Sequence, residues 1–174
     1  MSAKFILIQA VGFLGTILYF FSCQCKSNKK LFQTQLVSYI CYTLHLFLLG
    51  ATTGGISYIL NMIRSFCLGS ENAFLKSRIM CGILCMLQVA TLFFTIEKWW
   101  SVLPVMANIA ATIGGYTHNG LTFRVVGMFV NSPLWVIYDV IVGSWAGILD
   151  EVACELSMAV SIVRYGWKTL DSTE

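Results

Sequence analysis

Charge is scarce in this chain. Of its 174 residues only 11% are Asp, Glu, Lys or Arg, less than half of the roughly 25% usual in soluble globular domains, so a water-soluble fold is excluded. Proline occurs twice, which leaves little to interrupt a helix. No Cys-x-x-Cys pair and no Cys/His cluster at zinc spacing is present, so no metal site is expected. The seven cysteines, Cys23, Cys25, Cys41, Cys67, Cys81, Cys85 and Cys154, are odd in number and lie mostly within apolar runs, where they read as small packing residues. The nucleophile-elbow, zincin, P-loop and dinucleotide patterns are all missing, so neither an enzyme nor a cofactor is expected. The net charge of +3 sits in short basic clusters between apolar runs, which is information about topology and not a nucleic-acid surface.

What the chain has in abundance is apolar sequence. Hydrophobic residues make up 57% and the mean hydropathy is +0.77, distributed over separate runs of about 20 residues, the length that crosses a bilayer core. The expected fold is an all-α polytopic membrane protein with seven transmembrane helices in one membrane domain. Spans are expected at about 5–22, 32–49, 53–66, 79–96, 101–116, 121–142 and 144–165, followed by a polar tail over 166–174. The first run follows Lys4 and lacks a small-x-small cleavage site, so it reads as a retained helix. Gly50-Ala51-Thr52-Thr53-Gly54-Gly55 is too short for a loop and marks a tight hairpin. Trp99 and Trp100 fit an interfacial belt, and Pro133 within the sixth span is expected to bend it.

Basic residues fix the orientation. With the N-terminus outside, Lys26, Lys29, Lys30, Arg64, Lys76, Arg78, Arg124, Arg164 and Lys168 all fall on the cytoplasmic side, against Lys4 and Lys98 outside. The C-terminus is then cytoplasmic. Arg64, Arg124 and Arg164 read as anchors whose heads snorkel to the interface.

An offset of 93 residues aligns Ser38–Asn61 with Asn131–Cys154. Gly50 falls on Gly143, Gly54 on Gly147, Tyr42 on Trp135 and His45 on Tyr138. Spans one to three superpose on five to seven with the fourth as linker, giving three-helix units at 5–66 and 101–165 joined by 79–96. An odd linker makes the units parallel in the membrane, a plan known from carriers with a site between the repeats.

Polar groups inside these spans mark the candidate site. In the third span Thr53, Ser57, Asn61 and Arg64 recur at steps of 4, 4 and 3 on one helical face. The last span carries Asp150, Glu151 and Glu155, and carboxyl groups at that depth face an interior or a pathway. Glu151 and Glu155 share a face, about 6 Å apart, with Asp150 about 100° around the helix, so the two glutamates are expected to line a cavity opposite Asn61 and Ser57. At least one of them should hold a proton or a cation near neutral pH. Asn131, Trp135 and Tyr138 are candidate solute contacts, and His45 a candidate proton relay beside Glu151 and Glu155. Structural readings stand next to each: carboxylates paired internally, aromatics used for packing, amides bonding helix to helix.

The segments GFLGTILYFFSCQCKSNKKLFQTQ, HLFLLGATTGG, LPVMANIAAT and LWVIYDVIVGSWAGILDEV resemble the YgjV-type family of bacterial inner-membrane proteins over nearly the whole chain. The three-plus-one-plus-three plan, Trp135-x-x-Tyr138 and Asn61 also resemble the SWEET and PQ-loop class of small carriers. That resemblance implies alternating access between two triplets in a bacterial inner membrane, with the bilayer and a small polar solute as partners and homo-oligomerisation left open. The chain departs from the class at Cys23-Gln24 and Tyr116-Thr117, where proline-glutamine is usual, and near Cys154, where the second asparagine would stand; these departures point away from a sugar. The competing expectation is a non-transporting membrane scaffold or regulatory subunit.

Overall fold

The computed structural model describes residues 3–96 and 98–166, and every regular element among them is helical. α1 is Ala3–Cys23, α2 Asn28–Leu48, α3 Thr52–Gly69 and α4 Arg78–Thr95. A 3-10 turn at Trp99–Ser101 leads into α5, Val102–Gly115; α6 is Gly120–Val126, α7 Ser132–Val142 and α8 Trp145–Tyr165. Each expected span is helical within a few residues of its predicted ends. Glu97, Lys168 and the expected tail beyond Gly166 lie outside the described residues.

Side-chain caps set several starts. Ser77 accepts from the Met80 amide, Asn119 from that of Thr122 and Ser144 from that of Gly147, supplying partners the first turn otherwise lacks. The sixth span is one rod of α6, a π turn at Gly127–Asn131 and α7. Pro133 has no amide to give the ladder, and just before it the Ser132 amide reaches five residues back to the Gly127 carbonyl. A widened turn thus accompanies the bend expected there.

The two hairpins at either end of the 93-residue offset share their backbone. Gly50 and Gly143 are left-handed at φ of +78° and +73°, a conformation glycine enters without steric cost. Ala51 (φ −83°, ψ 69°) and Ser144 (φ −86°, ψ 81°) follow, and each donates its amide 2.9 Å to a carbonyl five residues back, Leu46 and Asp139.

α2 packs against both α1 and α3, and the α6–α7 rod packs against both α5 and α8. α1 lies on α8 and α3 on α5, with α4 against α3 and α5. α4 buries only Leu84, Gln88 and Thr91. Large side chains such as Leu7, Phe66, Met86, Phe94, Phe129 and Val163 stand exposed around the bundle, far more apolar surface than water-facing proteins leave open.

Three helices are long and apolar enough to cross a membrane: Ala3–Cys23, Arg78–Thr95 and Gly120–Val142. The other expected spans do not meet that measure. α5 has 14 residues, and α2, α3 and α8 carry the polar side chains that the bundle encloses.

Contacts sort the connections into two ends. At one, the Lys29–Glu71 pair, Tyr116 Oη on the Leu75 carbonyl, Arg124 Nη2 on the Cys25 carbonyl and Tyr165 Oη on the Gln24 carbonyl gather the segments around 24–29, 71–76 and 116–124 with the end of α8. At the other, Gln9 accepts from the Ala146 amide and Thr53 donates to the Thr95 carbonyl.

Candidate functional site

The inward arc of α8 runs through Gly147, Asp150, Glu151, Cys154, Ser157, Met158 and Ser161, all buried. At 100° per residue its centre falls at Cys154, with Asp150 and Glu151 within about 60° of it and Glu155 about 100° away. Asp150 and Glu151 are enclosed, at 3% and 5% exposure, while Glu155 is half-buried. This corrects the pairing read from the sequence: the two acids that share a cavity are neighbours in the chain, because the buried stripe drifts toward Asp150.

That cavity is a chamber of about 20 Å³, room for roughly one water molecule. Asn61 and Arg64 form its α3 wall, Asn131, Ser132 and Trp135 the wall at the π turn and α7, and Asp150, Glu151, Cys154 and Met158 the α8 wall. Tyr19, Tyr39 and Tyr58 complete it. The aromatic rings form one continuous lining, with Tyr19–Tyr39 at 5.7 Å, Tyr39–Tyr58 at 5.4 Å and Tyr58–Trp135 at 4.8 Å between centroids.

Polar groups on this wall are only partly satisfied. Asn61 Nδ2 donates 3.0 Å to Asn108 Oδ1, whose own amide donates 3.2 Å to the Ser57 carbonyl, and the Ser132 hydroxyl donates to the Glu151 carboxyl. Asn61 Oδ1, Asn131 Oδ1, Asp150 Oδ1 and two nitrogens of Arg64, Nε and Nη1, are buried without a hydrogen-bond partner among the described residues. Buried polar atoms are normally satisfied, and a cluster of orphans around one void marks a place where water, an ion or a solute belongs.

Of the residues singled out from the sequence, the structure brings Asn61, Asn131, Trp135 and Glu151 to the chamber and leaves Ser57, Tyr138, His45 and Glu155 off its wall. Ser57 is fully buried one turn before Asn61. Tyr138 Oη accepts from the Gly54 amide at 3.1 Å. His45 Nδ1 lies 2.9 Å from the Ile8 carbonyl and Nε2 2.9 Å from Ser144 Oγ. A carbonyl only accepts, so Nδ1 carries the hydrogen and Nε2 takes the serine proton. Both nitrogens are engaged at the end of the bundle away from Arg64.

Arg64 and Arg124 are not interfacial anchors. Both are enclosed, at 2% and 0% exposure, while Arg164 is exposed as expected. Arg124 is fully employed, donating to Ser161 Oγ, the Gly120 carbonyl and the Cys25 carbonyl at 2.9–3.1 Å, a latch joining α6, α8 and the α1–α2 turn. Arg64 makes one bond, Nη2 to Tyr39 Oη at 3.3 Å. The signal for Arg64 was its place on the Thr53–Ser57–Asn61 face; that for Asp150 was the 93-residue offset, which sets it on Ser57.

A family model described as bacterial inner membrane protein matches residues 6–169. The inner membrane protein YgjV of Escherichia coli (strain K12) is 30% identical over 162 residues, covering 92% of this chain and 83% of that protein. No solved structure matches, so the likeness to the SWEET and PQ-loop class rests on the sequence features alone.

Proposed function

Since the chain belongs to the YgjV family of bacterial inner membrane proteins, we propose that it is a small-solute carrier, in which two three-helix units alternate access to the chamber of Asn61, Asn131, Trp135, Asp150 and Glu151. The observation that carries this reading is the ring of orphaned polar atoms around an enclosed void between the units. A structural core gains nothing from leaving a carboxyl group, two amides and a guanidinium incompletely bonded.

The repeat supports a carrier's symmetry. Residues 45 and 138 are counterparts, and each crosses to the other unit near the start of its third helix, His45 to Ser144 and Tyr138 to Gly54. Pairs α1–α8 and α3–α5 exchange under the same operation. These relations fit a two-fold axis along the membrane normal, with all seven expected helices crossing, the Lys-rich end in the cytoplasm and the N-terminus outside. A single guanidinium facing two carboxyl groups leaves one negative charge to be met by a proton or a cationic group, which suits proton-linked uptake or a charged solute.

The chamber's small volume favours a second reading, a scaffold whose enclosed carboxyl groups are structural. Uptake into proteoliposomes separates the two. The carrier reading expects Glu151→Gln and Asp150→Asn to abolish uptake with little change in melting temperature. The scaffold reading expects both to lower the melting temperature, with no solute taken up by the unsubstituted protein.

A further inference from the structure

Arg64 is the least satisfied charged group among the described residues. It is 2% exposed, it gives one hydrogen bond to Tyr39, and Nε and Nη1 have no protein acceptor although both are buried beside the chamber. No carboxylate among the described residues lies within ion-pairing distance of it. A buried guanidinium left so costs several kcal/mol unless something else compensates it. The acids stand on the same chamber but at a different level. By the 93-residue offset Asp150 and Glu151 occupy the levels of Ser57 and Tyr58, and Arg64 is six residues further along α3 than Tyr58, about 9 Å at 1.5 Å per residue. The chamber is therefore bipolar: acidic at one end, cationic at the other, with Asn61 and Asn131 lining the middle.

Each solute class leaves a different remainder. A neutral sugar answers neither charge. An amine meets the acids and leaves the guanidinium bare, and a simple carboxylate does the reverse; each unmatched buried charge is a penalty against that solute. The geometry points to a small zwitterion as the occupant, an amino-acid-like solute whose carboxylate accepts from the free Nε and Nη1 of Arg64 and whose ammonium group faces Asp150 and Glu151. This rests on the carrier reading, because the void in the enclosed state holds about one water and the solute enters only when the two units part. Its net charge is zero, so the one negative charge in excess is still met by a proton on one of the two acids.

The test uses the purified full-length protein, with glycine and 4-aminobutyrate as probes against propylamine, butyrate and glucose, read by thermal shift and by uptake into proteoliposomes. The zwitterions are expected to raise the melting temperature and to be taken up, the other three to do neither. Arg64→Lys, which keeps the charge but presents a point donor, is expected to weaken the zwitterion response about tenfold, or about 1.4 kcal/mol. Arg164→Gln on the exposed end of α8 should leave it unchanged. The comparison of probes on the unsubstituted protein stands even if Arg64→Lys fails to fold. Binding and uptake of propylamine, butyrate or glucose in preference to the zwitterions overturns the solute class and leaves a carrier; no shift and no uptake with any probe overturns both.

Discussion

Asp150 and Glu151 face the same void while Glu155, one turn on from Glu151, does not, and this difference is testable side by side. Glu151→Gln and Asp150→Asn are each expected to reduce uptake to background in proteoliposomes, with melting temperatures within a few degrees of the parent, since each exchange keeps the shape of the side chain. Glu155→Gln is expected to transport near the parental rate. Uptake that survives both of the first substitutions and fails on the third would move the site to the other edge of α8. The sequence held enough to find part of this wall. The 4, 4, 3 spacing that brought out Asn61 ended on Arg64, but a basic residue near a helix end reads equally well as a snorkelling anchor, and only its burial in the fold, with Nη2 on Tyr39 Oη, shows that it is enclosed. His45 was visible as an interior histidine; that both its nitrogens are occupied depends on Ile8 and Ser144, which no local pattern connects to it.

At the level of elements, close approach and turn geometry carry the stability. A Cβ at Gly12 would stand 2.5 Å from that of Ala146 and 3.0 Å from His45 Nδ1, so Gly12→Ala should push α1 from α8 and cost about 1–3 kcal/mol, seen as a lower melting temperature. Gly50→Ala and Gly143→Ala meet nothing within 4 Å, so their cost is conformational alone, about 1 kcal/mol each for a left-handed residue. At the basic end Lys29 holds the Glu71 carboxyl below its ordinary range, chiefly through their hydrogen bond. A lowered carboxyl value favours the fold above the ordinary value and loses that contribution as the pH falls. Because the pair lies open to solvent, Glu71→Gln should leave the melting temperature unchanged at neutral pH. Among the described residues the helical spans and the hairpin at Gly50 were legible because apolar run length and φ-permissive residues are local properties. The π turn was not, since Pro133 announces a missing donor without saying which carbonyl the neighbouring amide will choose.

Across the whole molecule, α1 packs on α8 and α3 on α5, and the chamber is lined from α1, α2, α3, the π turn, α7 and α8. At the basic end Leu31, Phe32, Leu68, Leu84, Tyr116 and Phe123 form a cluster in which the Phe32 and Phe123 rings stand 5.1 Å apart, edge to face. At the other end the His45–Ser144 and Tyr138–Gly54 contacts join α2 to the start of α8 and α7 to the start of α3. The size of the void was not readable from sequence, because a cavity is what remains after all side chains pack. Cys154 reports directly on it, being a free thiol on the chamber wall at 3% exposure. The decisive measurement is labelling of Cys154 by a membrane-impermeant maleimide in right-side-out and inside-out vesicles, read by peptide mass spectrometry. Alternating access predicts modification from both faces, slowed by bound solute; modification from neither face until the protein is denatured would contradict it.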